Sequence, residues 1–146
     1  MAEENDNPFL SAVVRHFGDL LEEEGFALVD QSYSAESFGN AVVTYYSLRM
    51  AIRFQRDKGV VFVALGAKRP RFELAQLVSY LDPKSTALQG LRSLDGAELS
   101  TPDSQLAALR RVVDEHRSNL LDPAFYNRQE RKLKRFLATG DLFPPR

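Results

Sequence analysis

The strongest local signal in this sequence is a run of three β-type segments between residues 37 and 66, the last two of which meet at a tight turn. β-branched and aromatic side chains are frequent in these segments, as is typical of strands. The last two are separated by Asp57-Lys58-Gly59. Gly59 can take the left-handed conformation that closes a three-residue hairpin loop, and Asp57 suits the turn. The sequence therefore predicts an antiparallel hairpin as the seed of the fold.

Four strands are predicted in close succession, over residues 26–33, 40–47, 50–56 and 60–65. In the third, Met50, Ile52 and Phe54 fall on one face, and Arg53 and Gln55 fall on the other. This period of two is typical of a strand with one buried and one solvated face. The fourth segment is more uniformly apolar, which favours a central place in the sheet or a position beneath a helix. Together the segments predict a four-stranded antiparallel meander.

Helical patterns flank the strands. Asn7 and Pro8 predict a helix start, and Gly25 predicts its end. Between them lies an apolar stripe of Leu10, Val13, Val14, Phe17, Leu20 and Leu21. Three further helices are predicted over residues 70–81, 101–120 and 123–139. The predicted fold class is thus α+β: an N-terminal helix, a four-stranded antiparallel meander and three C-terminal helices packed on the sheet.

Composition is typical of one globular domain. The chain has 146 residues, 44% of them apolar and 27% charged, which is enough to bury a core. We therefore expect residues 1–146 to form a single α+β domain, in which residues 82–100 are an irregular loop or flap because of Pro83, Gly90 and Gly96. The acidic N-terminus does not resemble a signal peptide, and no apolar run approaches the ~20 residues of a membrane span. We expect a cytoplasmic protein without a membrane partner.

No motif for catalysis or metal binding is present in the sequence. The absence of cysteine excludes disulfides, thiolate nucleophiles and cysteine-ligated zinc. The two histidines, His16 and His116, do not form a metal-binding pair with any neighbouring ligand motif, and we expect both to be partly buried structural residues. Neither a nucleophile elbow nor a phosphate-binding glycine loop occurs. We therefore expect a protein that is not an enzyme and that has no cofactor and no metal site.

Charge is distributed unevenly along the chain. Residues 1–30 contain eight acidic groups and one basic group, whereas residues 124–146 contain six basic and two acidic groups, so the two ends carry −7 and +4. Two explanations are open. The charged helix faces neutralise each other, within one chain or across a dimer, or they serve different partners. A cluster of bases at residues 128–135 is an alternative basic surface, which we expect to pair with the acidic first helix.

Protein binding is the function class that the sequence favours. An acidic helix end can be complementary to a basic cleft, and tyrosines and apolar tail residues are common interface anchors. The predicted protein-binding residues are Glu22, Glu23, Glu24, Tyr45, Tyr46, Leu142 and Phe143. For the tyrosine pair the simpler alternative is one buried ring and one half-exposed ring. A second hypothesis is a nucleic-acid-binding protein that uses Arg53, Arg56 and Lys58 on a strand face with nearby aromatics. A third is a structural homo-oligomer, such as a homodimer.

A family resemblance supports the first hypothesis. Gly25-Phe26, the segment SFGNA at residues 37–41 and the segment RFQRDKGVVFV at residues 53–63 resemble a group of small bacterial proteins of unknown function. These share a leading helix, an FGNA-like second strand and an R-x-x-R-D-[RK]-G hairpin, and the resemblance covers residues 10–80. Such proteins are similar to immunity or accessory proteins of bacterial conflict systems. The resemblance implies stoichiometric blocking of a protein partner and supplies no catalytic residue.

Overall fold

The computed structural model of the chain describes residues 7–37, 39–84 and 101–138. Helix α1 (Pro8–Glu23) comes first. Five strands follow: β1 (Ala27–Ser34), β2 (Asn40–Tyr46), β3 (Ala51–Asp57), β4 (Val60–Gly66) and β5 (Phe72–Glu73), with a 3₁₀ turn at Ala35–Ser37. The remaining helices are α2 (Leu74–Leu81), α3 (Pro102–Glu115), α4 (Arg117–Leu120) and α5 (Pro123–Ala138). This order confirms the α+β class. Residues 85–100 of the predicted flap lie outside the described residues.

The strands form one antiparallel sheet in sequence order, β1-β2-β3-β4-β5. The prediction of four strands was wrong, because the sheet has a fifth, short strand, β5. The sequence predicts a helix over these residues, beginning at Pro70. The backbone instead turns there, because the Arg71 N–H donates to the Arg69 carbonyl oxygen. Phe72 then pairs with Leu65 on β4. Glu73 and Gln76 form a reciprocal capping box, so α2 begins at Leu74.

The hairpin between β3 and β4 is tighter than predicted. Asp57 pairs directly with Val60, which leaves a loop of two residues, Lys58 and Gly59, rather than three. Both loop residues have positive φ, 53° and 87°. This is the φ pattern of a type I′ turn, whose twist matches that of the flanking strands. The turn position predicted from Gly59 is therefore confirmed, whereas the predicted loop length is wrong.

The ends of α1 follow the predicted signals. The Asn7 side chain accepts a hydrogen bond from the Leu10 N–H at 3.0 Å. At the other end Gly25 has φ 79°. The Phe26 N–H donates to the Leu21 carbonyl and the Gly25 N–H to the Glu22 carbonyl, which is the Schellman arrangement.

The apolar stripe of α1 lies slightly off its predicted position. Val14 was included in the buried stripe, but 51% of this residue is exposed. Phe9 and Ala12 are buried in its place, beside Leu10, Val13 and Phe17. The buried face of the helix is therefore centred on residues 9, 13, 17 and 20, and Phe17 on this face contacts Phe54 of β3.

The C-terminal part has more helical segments than predicted. The helix expected over residues 101–120 is interrupted at His116, where α3 ends and α4 begins. Four helical segments therefore follow the sheet in the described residues, rather than three. Of the helices described after the sheet, α2 and α3 contact it most, whereas α5 packs mainly on α2 and α4 and reaches β5 through the stacked rings of Phe72 and Tyr126. The Tyr126 hydroxyl donates to the Leu120 carbonyl oxygen, and burial raises the pKa of that hydroxyl.

One continuous apolar core joins α1, α2, α3 and α5 to a single face of the sheet. Its largest fully buried side chains include Phe9, Phe17, Phe54, Ile52 and Leu65. Phe17 and Phe54 meet edge to face with ring centroids 4.8 Å apart, which joins α1 to β3. In the ranges that the structure describes, there is no helix with the length and apolar character needed to span a bilayer.

Candidate functional site

The sheet has one covered face and one open face. Residues that pair across antiparallel strands point to the same side, so the register assigns each side chain to a face. Val43, Phe54 and Val63 form one register row, and all three are buried beneath the helices. The neighbouring row of Tyr45, Ile52 and Leu65 lies on the same side. The alternate rows point away from this core, and we call their surface the open sheet face.

Three register rows make up the open sheet face. They are Ala27–Tyr46–Ala51–Gly66, Asp30–Thr44–Arg53–Ala64–Glu73 and Ser32–Val42–Gln55–Phe62. Two aromatic side chains stand out, since Tyr46 is 38% exposed and Phe62 is 37% exposed. Arg53 lies in the central row between them, flanked by Thr44 and Ala64. The face therefore presents two aromatic rings around a central guanidinium.

Charges of both signs occur on this face. Asp30, Arg53 and Glu73 share a single register row. Beside Arg53 the surface forms a shallow depression of about 360 Å³, bordered by Phe62, the Arg71 loop and the start of α2. This mixture of aromatic, neutral polar and oppositely charged groups is typical of protein interfaces rather than of surfaces that bind phosphate.

The two predicted tyrosines take different roles. Tyr45 is only 7% exposed, and its ring packs edge to face on Phe54. Tyr46, by contrast, lies on the open sheet face. This is the simpler alternative, one buried and one half-exposed ring, and Tyr45 is not available to a partner. The predicted tail residues Leu142 and Phe143 lie outside the described residues. Leu48, which the sequence interpretation missed, is 99% exposed in the β2–β3 turn.

The acidic end of α1 is largely engaged within the chain. Arg117 Nη2 lies 3.0 Å from a carboxylate oxygen of Glu23 and 2.9 Å from one of Glu24. Of the three predicted glutamates, Glu22 alone has no ion pair among the described residues. The acidic helix thus pairs with α4 and also with α3. The expected pairing of α1 with the basic residues of α5 is wrong, because the described ion pairs of α1 all go to α3 and α4.

Two ion-pair clusters join α1 to α3. Arg110 contacts Asp19 at 2.8 Å and Asp114 at 3.0 Å, and it also donates to the His16 carbonyl oxygen. The hydrogen bond from Arg110 is the main reason why the pKa of Asp19 is lowered to about 2. Asp103 accepts from Arg15 at 2.9 Å and lies 2.8 Å from His16 Nε2. Partial burial raises the pKa of Asp103, but the hydrogen bonds from His16 and Arg15 outweigh it and lower that pKa.

The residues of the nucleic-acid hypothesis do not share a face. Arg53 points to the open sheet face, as its alternation in β3 predicted. Arg56 belongs to the row of Ala41 and Val61 on the covered side, and its Nε is buried without a hydrogen bond in the described parts of the chain. Lys58 is in the hairpin loop, where its N–H donates to the Asn40 side-chain oxygen. These three cations therefore cannot line one strand together.

The histidines do not build a metal site in the described residues. In residues 7–37, 39–84 and 101–138, there is no group of three histidine or carboxylate side chains that could hold a metal ion. His16 contacts Asp103 within the α1–α3 contact, and His116 ends α3 with its Nε2 4.0 Å from Glu115. Both histidines thus take part in local packing, and the open sheet face is the best candidate for a functional surface.

Phe62 is the residue of this surface that the sequence interpretation missed. The uniformly apolar composition of β4 predicts a central place in the sheet or a position beneath a helix and singles out no exposed position, but Val60, Phe62 and Ala64 alternate with the buried Val61 and Val63. This period of two was the available signal.

Comparisons of the chain with protein-family models, curated proteins and solved structures find no match.

Proposed function

We propose that this chain acts by binding another protein and that the open sheet face is its recognition surface. The observation that supports this most is the placement of Tyr46, Arg53 and Phe62 on a face that the helices leave uncovered. Tyrosine, phenylalanine and arginine are enriched at the centres of interfaces, where a few such residues supply most of the binding energy. The complementary partner would offer apolar contact to the two rings and a carboxylate to Arg53.

Resemblance of residues 10–80 to immunity-like bacterial proteins is the basis for a more specific form of the proposal. In that form the chain is a defence-associated factor that blocks its partner stoichiometrically and catalyses nothing. The glutamates of α1 are poorly suited to contact the partner, because Glu23 and Glu24 already bind Arg117. The exposed Phe62 that results from the alternation in β4, and the mixed charge of the open sheet face, support this face as the binding surface instead.

Site-specific photo-crosslinking in the native cell can identify the partner. A photoreactive phenylalanine analogue replaces Phe62 in one variant and Val14 in the other, since Val14 is comparably exposed on α1. We expect position 62 to capture a specific protein that position 14 does not capture. Equal capture from both positions, or capture of a second copy of this chain alone, would contradict the proposal, and the second result would support a homo-oligomer.

Affinity measurements on the captured protein then test the named residues. We expect Phe62→Ala and Arg53→Ala each to raise the Kd at least about tenfold, because central aromatic and arginine anchors typically contribute more than about 1.4 kcal/mol. Val14→Ala is the matched control and should change the Kd less than about twofold. A Kd that is unaffected by both open-face variants would rule this surface out.

A further inference from the structure

Helix α5 has a continuous basic face. All of its apolar anchors point inward, with Phe125, Tyr126 and Leu133 buried. Every exposed position from 124 to 138 is a cation, an alanine or an asparagine, and the five cations are Arg128, Arg131, Lys132, Lys134 and Arg135. Because side chains three or four positions apart are neighbours on a helix, these cations form a band about two turns long.

A second basic segment lies next to this helix. Lys68, Arg69 and Arg71 are exposed in the loop between β4 and β5, and they border a shared depression with Asn127 and Glu130 of α5. The Glu130 carboxylate connects the two segments, since it lies 3.4 Å from Arg71 Nη1 and 3.0 Å from Lys134 Nζ. We call the outer face of α5 and residues 68–71 together the basic surface. It has eight cations and one carboxylate.

The basic surface is not neutralised by the acidic first helix. Asp19, Glu23 and Glu24 at its C-terminal end are bound by Arg110 of α3 and Arg117 of α4. Within the described residues, Arg128, Arg131, Lys132 and Arg135 form no ion pair. Such a local concentration of one charge sign on a chain of net charge −1 indicates an anionic ligand.

We propose that the basic surface binds the phosphate backbone of a nucleic-acid duplex. The cations from Arg128 to Arg135 span about 10 Å along the helix axis, a length over which a duplex presents about six phosphates. Five of the eight cations of the surface are arginines, whose planar guanidinium groups bind phosphate oxygens in bidentate fashion. Backbone contacts carry no sequence information, so the binding is independent of sequence.

Other anionic partners fit the basic surface less well. Single strands are bound by stacking bases on exposed aromatic rings, but the rings of Phe125 and Tyr126 are buried. A helix that lies in a membrane surface inserts a free apolar face, whereas the apolar face of α5 is part of the core. Protein interfaces have an apolar or aromatic centre, which the exposed positions of α5 lack.

Fluorescence anisotropy with a labelled DNA duplex of random sequence tests this proposal. We expect micromolar binding at low salt, with a slope of log K against log salt concentration of about −4, as about four or five phosphate contacts would produce. The same titration is run with a single strand of equal length, with polyglutamate and with phosphatidylserine vesicles. The duplex should bind most tightly of the four.

Matched variants locate the binding site. Arg128→Gln combined with Arg131→Gln should weaken duplex binding and reduce the salt slope by about 2, because two phosphate contacts are lost. The control, Lys58→Gln combined with Arg111→Gln, removes the same charge from exposed positions elsewhere and should leave the slope unchanged. Glu130→Gln should strengthen binding a few-fold, since it removes the one anion, and a gain of affinity cannot arise from misfolding.

Several results would overturn the proposal. One is the absence of duplex binding at low salt. Another is an equal loss of binding in the Arg128/Arg131 variant and in the Lys58/Arg111 control, which would indicate nonspecific attraction to the whole chain. A preference for polyglutamate or for vesicles over the duplex would indicate an acidic protein or a membrane surface instead.

Discussion

At the residue scale, Gln105 closes the outer edge of β4 with its side chain. Its Oε1 accepts from the Val61 N–H and its Nε2 donates to the Gly59 carbonyl, both at 2.8 Å. β5 pairs with β4 only at Ala64 and Leu65, so the buried amide supplies the hydrogen bonds that a longer neighbouring strand would make. A glutamine in the first turns of α3 thereby holds that helix against the hairpin.

Replacing this amide should be costly. Gln105→Leu keeps the approximate volume but leaves the buried Val61 N–H and the partly buried Gly59 carbonyl without this partner, and a buried group left unpaired costs about 1–3 kcal/mol. We expect the free energy of unfolding in urea to fall by about 2–4 kcal/mol. Gln55→Leu, at a half-buried position on the open sheet face, is the control and should change it by less than about 0.5 kcal/mol. A similar small change in both variants would show that the two hydrogen bonds of the Gln105 side chain do not contribute to stability.

The turn between β3 and β4 offers a substitution that should raise the free energy of unfolding. Lys58 has φ 53°, a left-handed conformation that asparagine adopts more easily than lysine. Lys58→Asn should therefore increase the free energy of unfolding by about 0.5–1 kcal/mol. Gly59→Ala should decrease it by about 1 kcal/mol or more, although the added Cβ meets no atom within 4 Å, because φ is 87° there. Chemical denaturation of both variants would test the turn type; destabilisation by Lys58→Asn would contradict it.

At the scale of elements, α1 and α3 are held together by carboxylates that need their charge. The Arg110 hydrogen bond lowers the pKa of Asp19 to about 2 from 3.8. A lowered folded-state pKa means that the ionised form favours folding, so this contribution is present above about pH 4 and is lost as the pH falls toward 2. Asp103 contributes with the same sign, because its pKa is also lowered.

Acid unfolding of an Asp19→Asn variant tests this contact. The variant should be less stable than the parent at pH 7, and the two unfolding free energies should converge as the pH falls from about 4 to about 2. Glu22→Gln removes a carboxylate of the same helix that has no described ion pair, and it should leave the pH profile unchanged. If the difference in unfolding free energy between Asp19→Asn and the parent persisted undiminished at pH 2, the charge of Asp19 would not be the source of its contribution.

Element ends were predictable wherever the signal is local. Asn7, Gly25 and Thr101 mark helix ends through hydrogen bonds to residues within five positions, and all three act as predicted. The start of α2 was not predictable in this way. Phe72 joins the sheet and stacks on Tyr126, which is far along the chain, so its strand conformation depends on a tertiary contact.

The candidate site was predictable only in part for the same reason. Alternation placed Arg53 on the outer face of β3, but it could not decide which of Tyr45 and Tyr46 is covered. Tyr45 is the covered ring because it lies on the same sheet face as Phe54, and α1 covers that face by packing Phe17 against Phe54. The ion pairs of Glu23 and Glu24 depend likewise on α4, a segment that the sequence interpretation had joined to the preceding helix.

At the scale of the whole molecule, the layout separates two kinds of surface. One sheet face builds the core, the other presents aromatic and mixed-charge groups, and the basic surface extends from the β4–β5 loop over α5. Arg71 borders both the depression on the open sheet face and the depression beside α5. Two adjacent surfaces of different chemistry suit the two binding functions proposed above.

The most direct test of the open sheet face compares binding and stability in one variant, Phe62→Ala. A residue that serves recognition should affect binding far more than folding. We predict that the Kd for the captured partner rises at least about tenfold, while the free energy of unfolding changes by less than about 1 kcal/mol. An unchanged Kd, or a loss of stability of about 3 kcal/mol as expected for a core phenylalanine, would contradict the account.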